Sequence, residues 1–405
     1  MICRSNARSS LGEISSMRSD VGQLSLAPCV RHHNETNPPF MQAMPYEVAN
    51  VHADRGSSEN CSRIEMEAPE ALVQDSISVT PHTQRRSRAK GIAAPMLFAS
   101  TYGHQSFEEQ LMEIEVVVNA GATIGESPTW ASAEKVLYWI DVKKPALYRY
   151  DPATGDQRSW PMPNDIGAFA LVSNPPGAVV GLRQGIFRLD FASGLLTRLA
   201  PPPFDPALFR FNEGACDSAG RFWIGVMFDP LADAVVPQAS SLHSFTLAAG
   251  LRAEPDAAEL HNGMAWSPDG RLFYLAHSQR QEVFAYAFDP ATGRLGARDL
   301  FARLPDALGL PDGAAVDSQG GYWCALHGGS RLRRYTAAGA VDRDIALPVS
   351  QPTMCAFAGE ALDVLYVTSA TDKLTPEQRR REPLAGSLLR LRPGETGIPR
   401  PYILC

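Results

Sequence analysis

Asn262-Gly-Met-Ala-Trp-Ser267 opens a short apolar stretch that turns into Leu272-Phe-Tyr-Leu-Ala276 and again into Val283-Phe-Ala-Tyr-Ala-Phe-Asp289. The same succession recurs along the chain. Its other openings are Glu126-Ser-Pro-Thr-Trp-Ala131, Gly167-Ala-Phe-Ala-Leu-Val172, Asn212-Glu-Gly-Ala-Cys-Asp217, Asp312-Gly-Ala-Ala-Val-Asp317 and Pro352-Thr-Met-Cys-Ala-Phe357. Successive openings lie 40 to 50 residues apart. A period in the forties made of short strands is the mark of a β-propeller blade. The chain is therefore expected to be all-β: a six-bladed propeller of four-stranded antiparallel blades.

The strands after each opening agree. They are rich in aromatic and β-branched residues, which favour the pleated, half-buried surface of a sheet. Asp-Pro-Ala-Thr-Gly occurs at 151–155 and at 289–293. In that turn Pro presets φ and Gly supplies the left-handed residue. No stretch of the repeating region keeps a 3.6-residue apolar period, so helices should be scarce.

The 405 residues, 44% of them apolar, suffice for a large core. A net charge of −7 argues against nucleic acid or an anionic membrane as partner. No apolar run approaches the ~20 residues of a membrane span, and no signal-peptide core follows Met1. Seven cysteines without a Cys-x-x-Cys pair predict neither a disulfide framework nor a thiolate metal site. Cys216, Cys324 and Cys355 fall within predicted strands, where a small buried side chain is the expected role. A cytoplasmic location is therefore expected, and the protein is expected to be a monomer or weak homo-oligomer.

Residues 1–111 are of another kind. Rich in Ser, Asn, Glu, Pro and Arg and without apolar repeat, they are expected to form a disordered low-complexity tail. Arg85-Arg-Ser-Arg-Ala-Lys90 reads as solvated linker. The propeller domain then occupies 112–405, and Met112, just before Glu113-Ile-Glu-Val-Val-Val118, is a second candidate for the start of translation.

The chemistry should lie at the blade openings. Innermost strands of a propeller surround one axis, so equal register becomes proximity. Glu126, Asn212, Asn262 and Asp312 share that register, each five residues before Ala131, Asp217, Ser267 or Asp317. Two carboxylates and two amides at one axis suit a hard divalent cation, which prefers oxygen ligands. Without a cation, burying such like charges together would be costly. Asn-Gly and Asp-Gly before a strand also occur as plain turns, and four in register bring the ligand reading level with the turn reading.

Gly125-Glu-Ser-Pro128, Arg210-Phe-Asn-Glu-Gly214, Asn262-Gly-Met-Ala-Trp-Ser-Pro-Asp-Gly270 and Pro311-Asp-Gly-Ala-Ala-Val-Asp317 together resemble the gluconolactonase, regucalcin and luciferin-regenerating-enzyme family. Pro352-Thr-Met354 and Leu365-Tyr-Val-Thr-Ser-Ala370 extend the resemblance over about residues 112–396. It implies a six-bladed propeller with one catalytic divalent metal, calcium or zinc before manganese or magnesium. It implies hydrolysis of a sugar lactone to the sugar acid. On this pattern Glu126, Asn262 and Asp312 match the metal ligands, and Arg210 and Asn212 match the substrate-binding positions, with Glu213 beside them; a carboxylate held at a metal can also accept a proton, so Asp312 is the expected general base. The chain departs from the pattern at Glu213, where Asp is usual, at His261, where Pro is usual, and at His277, where Asp is frequent. A calcium-binding propeller without catalysis, or a hydrolase of other esters or organophosphates, would carry the same ligands.

Overall fold

The computed structural model describes residues 113–404. They form six four-stranded antiparallel sheets, and five of these run in simple chain order from the inner strand outward. The inner strands are Gly125–Ala131, Ile166–Val172, Phe209–Cys216, His261–Trp266, Leu310–Val316 and Pro352–Ala358. Each begins within three residues of an opening read from the sequence. The expectations for residues 1–111 lie outside the described residues.

Blade six is assembled from both ends of the described region. Its inner three strands are Pro352–Ala358, Val364–Ser369 and Leu388–Leu391, and its outer strand is Glu115–Val118. Glu115 faces Arg390 across that seam, and the two side chains form an ion pair. Drawing one blade from both ends of the region ties the last strands to the first, and the radial repeat leaves only short sheet edges.

Inner strands are buried along almost their whole length because they meet neighbours on both faces. Trp223, Trp323, Tyr138 and Tyr322 are wholly buried between blades. Both Asp-Pro-Ala-Thr-Gly segments form the same turn, with Gly155 and Gly293 left-handed and donating back to Asp151 and Asp289. One short α-helix, Pro376–Arg381, is the sole α-helix among the described residues. Thr375 and Gln378 close a capping box at its start. Cys216, Cys324 and Cys355 are buried free thiols.

One irregularity recurs in all six inner strands: the ladder to the second strand slips near its first residues. The shifts fall at Glu126/Thr129, Ile166/Ala168, Asn212/Gly214, Asn262/Ala265, Pro311/Ala314 and Pro352/Met354. A bulge re-aims the side chains beside it. Here it falls at the beginning of every inner strand.

Candidate active site

At the end of the axis where the inner strands begin lies a cavity of about 180 Å³. Glu126, Arg210, Asn212, Asn262 and Asp312 all line it, with Ser278, His327 and Thr353. Register thus brings four residues from four blades to one cavity, and Arg210 joins them from two positions before Asn212.

The residue after each of three of these is left-handed: Ser127 at φ 53°, Glu213 at 46° and Gly263 at 62°. Gly263 suits that conformation, and a Cβ there would lie 2.3 Å from the Tyr322 hydroxyl. Ser127 and Glu213 pay a steric cost that local bonds must offset. The Ser127 amide donates to Glu126 Oε2 at 2.9 Å. Glu213 accepts from the Gly263 amide at 2.6 Å and the Met264 amide at 2.7 Å. Glu213 therefore does not line the cavity, contrary to its expected place on the substrate. Its carboxylate pins the loop that carries Asn262.

A hydrogen-bonded chain crosses the site. Asp229 accepts from Arg210 Nε at 3.0 Å, Arg210 Nη1 donates to Asn212 Oδ1 at 2.7 Å, and Asn212 Nδ2 donates to Asn262 Oδ1 at 2.7 Å. Asn262 Nδ2 then donates to Ser278 Oγ at 2.9 Å, and Ser278 Oγ to the Pro311 carbonyl at 2.6 Å. The chain ends one residue from Asp312. Arg210 also donates to the Phe211 carbonyl and Met227 Sδ. Of the five N–H donors of a guanidinium, these four contacts leave one for a ligand. Asp229 is shared with Lys143 at 2.6 Å and Arg183 at 2.6 Å, and these cations, with Arg210, hold it down to about 2 against its burial. Ser278 and Asp229 were not found from the sequence, because neither lies at an inner-strand opening.

The carboxylates differ sharply from Asp229. Neither Glu126 nor Asp312 forms a salt bridge among the described residues, and both are at least nine-tenths buried. Burial raises Glu126 to about 7. Burial, then the charges of Glu126 and Glu213, push Asp312 well above the usual carboxylate range. Burial and Glu126 lift Glu213 to about 8, in spite of its two amide donors. Arg400 reaches the axis from the opposite end, donates to the Ala314 carbonyl at 3.3 Å and acts on these groups only through its field. Two under-compensated carboxylates beside an amide oxygen are a donor set that fits a divalent cation.

His261 and His277 occupy the reverse side of this wall. They face each other across the first two strands of blade four, one residue before Asn262 and Ser278 respectively. Strand alternation sends their rings away from the cavity. Both rings meet Asp256, at 3.0 and 2.8 Å.

Residues 124–371 match the family model described as the SMP-30/Gluconolactonase/LRE-like region. A 6-deoxy-6-sulfogluconolactonase of Pseudomonas putida is 36% identical, over 71% of this chain and 97% of its own. An L-arabinolactonase of Azospirillum brasilense is also 36% identical, over 66% of this chain and 87% of its own. Regucalcin of Gallus gallus is 31% identical, over 72% and 98%. Among solved structures, a regucalcin from Agrobacterium tumefaciens, titled a calcium-binding protein, superposes with a TM-score of 0.68 at 24% identity. It covers 73% of this chain and 98% of its own. A luciferin-regenerating enzyme gives 0.67 at 24% identity, covering 73% and 100%. Both share the fold. With its matched region spanning more than half of its length, the chain belongs to the SMP-30/gluconolactonase/LRE-like family.

Proposed function

We propose that this protein is a metal-dependent carboxylic-ester hydrolase that opens a sugar lactone, an aldonolactone such as glucono-, arabinono- or xylonolactone, to the sugar acid. One observation carries the reading: Glu126 and Asp312 lie buried without cationic partners in a cavity shared with Asn262, Arg210 and Asn212. Relatives named as lactonases of 6-deoxy-6-sulfogluconate and L-arabinose type support the reaction class.

Glu126, Asn262 and Asp312 would hold the ion, calcium or zinc in preference to manganese or magnesium. When bound, it supplies Lewis-acid polarisation and positive charge for an oxyanion. Asp312, ionised beside that charge, accepts a proton from the attacking water. The water oxygen joins the lactone carbonyl carbon, the ring C–O bond breaks, and the departing alkoxide takes up the proton that Asp312 accepted. Asn212 and the remaining N–H of Arg210 orient sugar hydroxyls, and Asp229 holds that guanidinium in place. Glu213 serves the same site indirectly, by fixing the Asn262 loop. No helix among the described residues is long and apolar enough to cross a membrane. A cytoplasmic location is part of the proposal.

The test is a pH-indicator assay of aldonolactones with chelator-treated protein, refilled in turn with calcium, zinc, manganese and magnesium. Acid release restored by one ion is expected. Absence of release with every lactone and ion, while calcium still raises the melting temperature, would favour a non-catalytic calcium-binding propeller.

A further inference from the structure

The buried Asp256–His261–His277 cluster takes no part in that chemistry. We propose that Asp256 Oδ1, His261 Nε2 and His277 Nε2 hold a second divalent ion of the zinc class, where blades three and four meet. The three ligand atoms lie within 4.8 Å of one another, with the carboxylate oxygen 3.0 and 2.8 Å from the two nitrogens. Ligands at about 2.0–2.2 Å from a zinc ion sit a little over 3 Å apart, and the two carboxylate–imidazole separations fall just short of that spacing.

The donor set selects the ion. Two imidazoles and one carboxylate suit zinc or cobalt, whereas the all-oxygen funnel suits a harder cation. Supporting contacts are also in place. His261 Nδ1 lies between the Val226 amide at 3.3 Å and the Val226 carbonyl at 3.2 Å, and the tautomer that donates to the carbonyl leaves Nε2 free to bind an ion. Asp256 Oδ2 accepts from the Tyr286 hydroxyl and from Arg298 Nη1, which leaves Oδ1 for the ion. Arg298 is nearly half exposed, so solvent screens its charge. A water takes the fourth position. An ion at this place would stiffen the backbone that presents Asn262 and Ser278 to the cavity.

Zinc content and cobalt spectra decide the matter. Chelator-stripped protein is dialysed against zinc and assayed by mass spectrometry, for the wild type, for the Glu126→Gln/Asp312→Asn double variant, and for His277→Gln and Asp256→Asn. The double variant is expected to keep about one zinc per chain and, with cobalt, an intense visible d–d band of a tetrahedral nitrogen–oxygen site. His277→Gln and Asp256→Asn should lose that band and one equivalent of zinc. A folded double variant that binds no zinc overturns the proposal. So does either single variant with wild-type zinc content, and Asp256→Asn decides if His277→Gln does not fold.

Discussion

Two ends of the same inner strands treat their carboxylates in opposite ways. Asp217 and Asp317, at the far end, are wholly buried and saturated with donors. Asp317 accepts from the amides of Gln319 and Gly321, from Trp323 Nε1 and from Arg334 Nε. Asp217 repeats the scheme with Ala219, Arg221 and Trp223. Glu126 and Asp312, at the opening end, are nearly as buried and accept almost nothing. Equal burial with unequal satisfaction separates a carboxylate that holds the fold from one that waits for a charge.

The largest test of this contrast is Asp312→Asn. It should lower kcat by roughly 10³-fold, the scale of a lost general base, with an unchanged circular dichroism spectrum. Near-normal turnover would remove Asp312 from the chemistry. Asp317→Ala should do the reverse, leaving Trp323 and Arg334 without their acceptor. A stability loss of about 3 kcal/mol in urea titration is expected, with kcat within a few-fold of wild type.

A pH series sharpens the comparison further. Glu126 and Glu213 sit above the ordinary carboxylate value of 4.5, at about 7 and about 8. A group raised on folding favours the fold while protonated. Its contribution is whole below pH 4.5 and is lost as pH climbs through 7 and 8. The melting temperature of chelator-treated protein should fall over that range, and a saturating divalent ion should flatten the fall. A flat ion-free profile would mean that the funnel carboxylates are compensated after all. The smallest effect belongs to the positioning residues. Arg210→Ala should raise KM about tenfold, the worth of one charge-assisted hydrogen bond, with a lesser change in kcat.

Much of this was legible in sequence because blade register is written directly into spacing. Glu126, Asn212, Asn262 and Asp312 could be aligned by counting, and the fold brought them to one cavity. Glu213 shows where counting stops. Its neighbour Asn212 faces the axis, but the left-handed backbone at 213 turns its own carboxylate to the next blade's amides. No spacing rule anticipates that turn. Asp256 and Asp229 were hidden for another reason: they lie on an outer strand and after a second strand, and reach their partners only through packing. His261 and His277 stood out as departures from the family pattern. Their common partner emerged only in three dimensions.

The strand Glu115–Val118 carries a practical lesson for anyone trimming the N-terminus. Were a protease or a shortened clone to remove it, Leu388–Leu391 would be laid bare, a row of unpaired amides and carbonyls bearing leucines. Such a strip invites other molecules to add on edge to edge. Shortened preparations should then clump in light scattering well before their catalytic groups are disturbed.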